Sequence, residues 1–203
     1  YVAQNGQTSV WPYASWDMAA GTIQDAVDAA YPGDRIIVGP GVYAAGGASA
    51  TGLTLSSRVY VDKAVTILSA DGPETTWIVG AAASGGGNGP GAVRCANLSG
   101  GAILEGFMLT GGHSLGGLDL LEDRSGGGVY LTDTAEVRYC VLRDNGAHEY
   151  GGGAYLAEGG RLINCLVVSN ETVVGGGVYL FRGGEVYNST VVGNHAAAEG
   201  GGL

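Results

Sequence analysis

A glycine triplet followed by a short apolar stretch recurs through the second half of the chain. The segment reads Gly-Gly-Gly-Val-Tyr-Leu or, in one copy, Gly-Gly-Gly-Ala-Tyr-Leu. Full copies begin at Gly126, Gly151 and Gly175, and the segment begins again at Gly200 as Gly-Gly-Gly-Leu, so that the intervals are 25, 24 and 25 residues. A fixed period of this size predicts a solenoid, in which each repeat forms one coil and stacks on its neighbours.

Further positions of the repeat agree when the copies are aligned on their glycines. The agreeing columns are the tyrosine column Tyr130, Tyr155 and Tyr179, the cysteine column Cys140, Cys165 and Ser189, and the asparagine column Asn145, Asn170 and Asn194. The apolar stretches between them are two to five residues long and lack a 3.6-residue period, which favours strands over helices. We therefore predict parallel strands about 4.8 Å apart, with equivalent residues of successive coils stacked in ladders.

Each column has a predicted structural role. Glycines such as Gly126, Gly151 and Gly175 permit positive φ and a close backbone approach at a corner. Asparagines bond to turn backbone groups and to the coils above and below. The tyrosines form a stacked column on the outer surface. A second outer column, Glu136, Arg161 and Glu185, alternates in charge and is expected to form ion pairs.

The amino-terminal region has the pattern of a helix. Within residues 17–30, apolar residues from Ile23 to Ala30 fall on one helical face, and Thr22 precedes Asp25 by three residues, as in a capping box. We predict a cap over residues 1–35 and a parallel β-helix over residues 36–203. Because the last repeat ends midway, at Leu203, we expect no carboxy-terminal cap in this stretch, and either a longer natural chain or end-to-end pairing of exposed coil edges.

Two segments resemble known β-helical families. Residues 22–43, TIQDAVDAAYPGDRIIVGPGVY, are similar to the opening of many pectate-lyase-like proteins. The later Cys-x4-Asn and Gly-Gly-Gly-Val-Tyr elements resemble repeats of polymorphic outer-membrane proteins and autotransporter-like surface β-helices, although Cys or Ser stands where Phe is usual. The resemblance implies an all-β, single-stranded, right-handed parallel β-helix with an amino-terminal capping α-helix. It also implies a surface-exposed, largely non-enzymatic role.

The charge balance restricts the partners of the chain. With 19 acidic and 9 basic residues, the formal net charge is -10, which would repel a phosphate backbone and argues against a nucleic-acid partner. No run of about 20 apolar residues is present, so we expect no membrane-spanning segment in this stretch. Together with the resemblance, these features favour an extracellular or cell-surface location.

The sequence offers no clear catalytic or metal site. Asp133, Glu158 and Arg182 share a column, but the alternation of charge there and in the neighbouring column favours surface ion pairs over catalysis. The histidines His113, His148 and His195 lie in or near turns and do not share one register, which argues against metal binding. We expect no cofactor. Weak calcium binding is the alternative, through the loop acids Asp119, Glu122 and Asp123.

Cysteines and sequons leave further alternatives open. Cys140 and Cys165 are expected as ladder neighbours, either as inward thiols or as a disulfide. Candidate glycosylation sites are Asn97, Asn170 and Asn188.

The function predicted from these features is that of a non-catalytic scaffold: a stalk, an adhesin or a filament subunit that contacts glycans or a host surface. The alternative is a carbohydrate-active enzyme, either a polysaccharide lyase or a glycosidase, or a glycan-binding module. The aromatic residues Trp11, Tyr13 and Trp16 are expected to pack on the cap, with glycan stacking as the alternative role.

Overall fold

The structure is a computed structural model that describes residues 1–5, 8–117 and 120–203. It contains two short α-helices, α1 (Ile23–Ala29) and α2 (Leu121–Arg124), and a 3-10 turn at Trp16–Met18. The strands are, in chain order, β1 (Arg35–Val38), β2 (Gly41–Tyr43), β3 (Ala48–Ser49), β4 (Ser56–Val61), β5 (Thr66–Ser69), β6 (Thr76–Val79), β7 (Val93–Leu98), β8 (Ile103–Glu105), β9 (Met108–Thr110), β10 (Val129–Leu131), β11 (Glu136–Arg138), β12 (Val141–Arg143), β13 (Ala154–Ala157), β14 (Arg161–Ile163), β15 (Leu166–Val168), β16 (Glu171–Val174), β17 (Val178–Phe181), β18 (Glu185–Tyr187), β19 (Thr190–Val192) and β20 (His195–Glu199).

These strands form three six-stranded sheets that run the length of a solenoid. The charged sheet has the order β1-β5-β8-β11-β14-β18, the apolar sheet β2-β6-β9-β12-β15-β19, and the tyrosine sheet β3-β4-β7-β10-β13-β17. All neighbours pair in parallel except β3 and β4. A further two-stranded sheet pairs β16 with β20. The predicted parallel β-helix is confirmed, and its hand follows the right-handed rule for parallel crossovers.

The core is a set of stacked aliphatic columns inside the coils. In the charged sheet, Leu104, Val137 and Leu162 are directly paired and fully buried. In the apolar sheet, Leu109, Leu142 and Val167 form an equivalent column. Alternate residues of each short strand therefore point inward, and burial of these side chains is the main favourable contribution to folding.

The predicted amino-terminal capping helix is also present. The Thr22 hydroxyl accepts a hydrogen bond of 3.1 Å from the amide of Asp25, and α1 buries Ile23, Ala26 and Val27 against the first coil. At the other end of the helix, the Lys63 ammonium donates to the Ala30 carbonyl at 2.6 Å, which satisfies a carbonyl that the helix leaves free. The helix is shorter than the predicted 17–30, because Ala20 pairs with Val2 instead.

The first glycine of each triplet is required by the backbone at a corner of the coil. Gly126, Gly151 and Gly175 have φ values of +64°, +61° and +68°, and a Cβ on any of them would lie within 2.7 Å of a backbone oxygen. Because of this backbone conformation and this contact, only glycine fits at these positions.

Within the described residues, neither helix has the length and hydropathy needed to span a bilayer.

Candidate functional site

The three sheets present outer faces of different chemistry. On the charged sheet, Arg161 bonds to Glu136 at 3.4 Å and to Glu185 at 2.8 Å. The apolar sheet carries an outward ladder of mostly apolar residues. Its members, in register order, are Val42, Trp77, Met108, Val141, Leu166 and Thr190. The tyrosine sheet carries aromatic rings, and loops border it to form a cleft.

The tyrosines stack along the outside of their sheet. The rings of Tyr130 and Tyr155 lie 5.2 Å apart with an interplanar angle of 8°, and those of Tyr155 and Tyr179 lie 5.6 Å apart at 13°. The ladder continues into earlier coils, where Asn97 pairs with Tyr130 and Tyr60 pairs with Asn97. An amide thus replaces one ring in the column. This substitution leaves a gap between Tyr60 and Tyr130, two strand spacings apart.

This gap is the base of a cleft with a volume of about 460 Å³. One wall comes from residues 50–53 and the other from residues 120–122. The side chains at its base and mouth combine aromatic rings with polar groups. The lining residues are Ala50, Thr51, Gly52, Leu53, Tyr60, Asn97, Ser99, Leu120, Glu122, Tyr130 and Thr132. We call this site the tyrosine cleft.

A buried carboxylate ties the two walls together. Asp123 is 1% exposed, and its two carboxylate oxygens accept hydrogen bonds of 3.0 Å from the backbone amides of Thr54 and Leu55. Asp123 belongs to α2, whereas Thr54 and Leu55 follow the opposite wall. Charge-assisted bonds to backbone amides are among the stronger hydrogen bonds in proteins, so this contact holds the cleft open at a defined width.

A buried guanidinium fixes the α2 loop from below. Arg94 is 0% exposed and donates to the carbonyls of Glu122 at 2.5 Å, Ser125 at 2.8 Å and Gly126 at 2.8 Å. Its guanidinium carbon lies 5.2 Å from the ring centroid of Tyr130. Burial lowers the pKa of Arg94 to about 10, so the side chain stays cationic at neutral pH. The cleft therefore rests on a rigid, charged support that solvent does not reach.

The phenols of the cleft are neutral hydrogen-bonding groups. Burial raises the pKa of Tyr130 to about 12. Burial also raises the pKa of Tyr60, and the charge of Asp62 adds to the rise. Both hydroxyls keep their protons at neutral pH and can donate as well as accept hydrogen bonds.

The structure brings the predicted asparagine column together. The Asn170 side-chain oxygen accepts from the backbone amide and from Nδ2 of Asn145, both at 3.0 Å. Asn194 repeats the pattern with Asn170 at 2.9 Å. The column lies at a corner between sheets and closes the turns from inside.

The cysteine column faces the core. Its members Cys140 and Cys165 are buried free thiols, and the Ser189 hydroxyl accepts a hydrogen bond from the Cys165 amide at 3.0 Å. Cys95, in β7 of the tyrosine sheet, is also a buried free thiol but lies outside this column. Burial raises the pKa of Cys95 to about 12 and that of Cys165 to about 11. These thiols are poor nucleophiles, so their role is packing.

The three sequons lie in different environments. Asn97 is 4% exposed and Asn170 is 0% exposed, whereas Asn188 is exposed in a turn with φ of +45°. Burial of Asn97 and Asn170 argues against their modification in the folded chain. Glycosylation at Asn188 stays a prediction.

The structure also locates the second charged column and the three histidines. Arg182 lies 3.8 Å from Glu158 as an exposed pair. The prediction that the histidines share no register is wrong for two of them, because His113, Gly146, Glu171 and His195 follow one another in a single ladder. His148 lies outside that ladder, 3.7 Å from Glu149.

The loop acids do not form a shared cation site among the described residues. Asp123 uses both oxygens on backbone amides, and Glu122 lines the cleft. Asp119 lies outside the described residues. Across the described part of the chain, no group of His, Cys, Asp and Glu residues is arranged to hold a metal ion.

Sequence reasoning missed the cleft. Tyr60 and Asn97 belong to the tyrosine column, but they precede the regular repeats, and coils of unequal length separate them from Tyr130. The one available signal was the alternating pattern around Tyr60, in the strand SSRVYV, whose burial alternates along its whole length.

Comparison with known proteins adds little to this picture. No family model matches the chain, and no curated protein matches it significantly. A solved structure of a pectin methylesterase in complex with a hexasaccharide is similar at a TM-score of 0.43 and 13% sequence identity. The match covers 84% of this chain and 56% of the other, so this chain spans little more than half the length of that protein. The fold is established by the strand pairing, independently of this distant similarity.

Proposed function

We propose that the chain is a glycan-binding β-helix and that the tyrosine cleft binds part of an oligosaccharide. The observation that carries this proposal is the gap in the aromatic column, where Asn97 lies between Tyr60 and Tyr130. Binding pockets for small ligands are mostly apolar and contain a few fixed polar groups, and their volumes run from about 300 to 1,000 Å³. The tyrosine cleft fits this description.

The side chains suit a polyhydroxylated ligand. Leu53 and Leu120 offer apolar walls for the C–H faces of a sugar ring. The Asn97 amide and the hydroxyls of Ser99 and Thr132 offer hydrogen bonds to its hydroxyl groups. Because Asp123 and Arg94 hold the walls in place, little ordering is needed on binding.

The cleft supports binding better than glycoside hydrolysis. Hydrolases of this kind use two carboxyl groups that flank the scissile bond. Of the described residues that line the cleft, Glu122 is the one carboxylate. A catalytic pair would need a second acid at the opposite wall, where residues 50–53 carry none.

Calorimetric titration with neutral tetrasaccharides to hexasaccharides tests this proposal. We expect binding by the unaltered chain and a loss of about tenfold or more on Asn97→Ala or Tyr60→Ala, because each removes a group at the base of the cleft. Tyr187→Ala, on the outer face of the charged sheet, serves as the control and should bind normally. Absence of binding across a broad oligosaccharide panel would contradict the proposal, and release of new reducing ends would favour the enzyme alternative.

A second candidate function is the scaffold role, as a stalk, adhesin or filament subunit at the cell surface or outside the cell. It is supported by the outward apolar ladder, in which Val42, Trp77 and Leu166 are exposed. Exposed apolar patches of this kind commonly mark contacts with other proteins. Sedimentation of the chain and of Leu166→Glu tests the filament form of this role. Concentration-dependent assembly that the variant abolishes would support a filament subunit, and a monomer at all concentrations would contradict it.

A further inference from the structure

We infer that the tyrosine cleft selects uncharged oligosaccharides and discriminates against those that contain uronic acids. This inference rests on the proposed function and specifies the ligand class of the same site. It follows from the charges around the cleft, which are arranged so that carboxylates are accessible and cations are not.

Three carboxylates lie in or beside the cleft. Glu122 lines the wall formed by α2. Asp62 does not line the cleft but lies beside its base, where it accepts a hydrogen bond of 3.4 Å from the hydroxyl of Tyr60. Asp133 follows the lining residue Thr132 and accepts a bond of 3.4 Å from the Gly100 amide. A carboxylate on the ligand would therefore approach charges of its own sign.

The nearby cations are buried or already paired. Arg94 directs Nε and Nη2 to backbone carbonyls beneath the cleft, and its Nη1, which has no hydrogen-bond partner, is buried away from the cleft surface. Arg124 of α2 pairs with Glu149 at 3.0 Å. Lys63, next to Asp62, bonds to the carbonyl of Ala30.

Recognition of a sugar carboxylate usually requires a charged donor that contacts it directly, most often a bidentate arginine. No Lys or Arg side chain is among the described residues that line the cleft. The chain as a whole adds to the same preference, because its formal net charge is -10. A neutral sugar avoids this repulsion and still uses every polar group of the cleft.

A matched pair of ligands tests the inference. The probes are the neutral oligosaccharide that binds best and the same oligosaccharide with its C6 hydroxymethyl groups oxidised to carboxylates. In calorimetry at about 20 mM salt, we expect the oxidised ligand to bind about fivefold more weakly or worse. In Glu122→Gln, this ratio should fall by about half or more, because the variant keeps the shape of the side chain and removes its charge.

Glu74→Gln is the matched control, since it removes one exposed carboxylate on the turn before β6 and changes the net charge equally. It should leave the ratio unchanged. Equal or tighter binding of the oxidised ligand would overturn the inference while leaving the proposed function intact. A preference that neither salt nor Glu122→Gln alters would also overturn it, because the discrimination would then be steric. If no oligosaccharide binds at all, the proposed function itself fails.

Discussion

Asn170 shows how a single side chain connects three coils. Its oxygen accepts two bonds from Asn145, and its Nδ2 donates to the Leu142 carbonyl at 3.0 Å and to Asn194 at 2.9 Å. The side chain is fully buried, so water does not compete for these groups. Each bond is worth only about 1 kcal/mol net, but a buried partner left without its bond costs about 1–3 kcal/mol. The asparagine column therefore matters to stability mainly because removal of one member leaves buried polar groups of the adjacent coils without partners.

Asn170→Ala should lower the free energy of unfolding by about 2–4 kcal/mol, because it leaves polar groups on both adjacent coils unsatisfied. Urea denaturation followed by circular dichroism measures this change. Asn194→Ala is the matched comparison, since its side chain is only partly buried and water can replace some of its bonds. An equal loss in the two variants would show that burial is not the cause.

Glycine at the second triplet position is required by space alone. A Cβ on Gly152 would lie 2.4 Å from the Glu171 carbonyl oxygen and 2.7 Å from that of Gly176, although the φ of this residue lies outside the left-handed region. Both obstacles are backbone atoms of the stack, which cannot move aside as a side chain can.

Gly152→Ala should therefore destabilise the chain by about 1–3 kcal/mol or prevent folding. Thermal unfolding measures the effect. Gly85→Ala is the control, because a Cβ there meets no atom within 4 Å and φ is again outside the left-handed region. The spatial argument fails if the two variants melt at the same temperature.

At the scale of elements, the loop that carries α2 determines the site. It follows β9 and lies against the tyrosine sheet through Arg94 beneath and Asp123 at its side. Ser114 adds a contact at its start, where its hydroxyl donates to the Arg124 carbonyl at 3.0 Å and accepts from the His148 amide at 2.8 Å. Four residues of helix have little stability of their own, so these anchors hold the loop in place.

Asp123→Ala should free the α2 loop from the opposite wall, because two amides lose a charged acceptor. We expect faster limited proteolysis within the loop and a loss of glycan affinity of about tenfold. Mass spectrometry of the fragments locates the cut. Asp71→Ala, which alters an exposed carboxylate elsewhere, should leave the cleavage pattern unchanged. A loop that stays resistant in Asp123→Ala would refute the role of this residue as the link between the walls.

The molecule as a whole is a stack whose coils contact mainly their nearest neighbours. Its interior is mostly aliphatic, and the thiols of Cys95, Cys140 and Cys165 and the ring of Tyr43 are buried within it. The outer faces differ in chemistry because each outward column repeats the same position of every coil. One substitution in a column, such as Asn97 among tyrosines, therefore creates a local site without disturbing the core.

The buried ionisable groups make the stability of the whole molecule sensitive to alkali. Burial raises the pKa of Tyr43 and Tyr130 to about 12 each, and that of Cys95 also to about 12. The ordinary pKa values are 9.0 for the thiol and 10.0 for the phenols. At a pH between these values and the raised ones, the folded state holds more protons than the unfolded state. Stability is complete below about pH 9 and falls as pH rises toward 12.

We expect the melting temperature to fall by about 5 °C or more between pH 8 and pH 11. Scanning calorimetry across this range measures the shift. In a parallel pH titration, the tyrosinate absorbance at 295 nm should rise at a higher pH for the folded chain than for the urea-unfolded chain. A melting temperature that is constant to pH 11 would contradict the assigned burial of these groups.

The period of the glycine triplets was enough to predict the parallel coils and the stacked columns, and the amphipathic pattern of residues 17–30 was enough to predict the capping helix. Repetition at 24 or 25 residues leaves few ways to bury the apolar positions, and parallel stacking satisfies all of them. The tyrosine cleft was decided only by tertiary structure. Asp123 meets Leu55 across 68 residues of sequence, and Tyr60 joins the tyrosine column through coils of irregular length. Side chains so far apart become neighbours through stacking, and unequal loops conceal that register in the sequence.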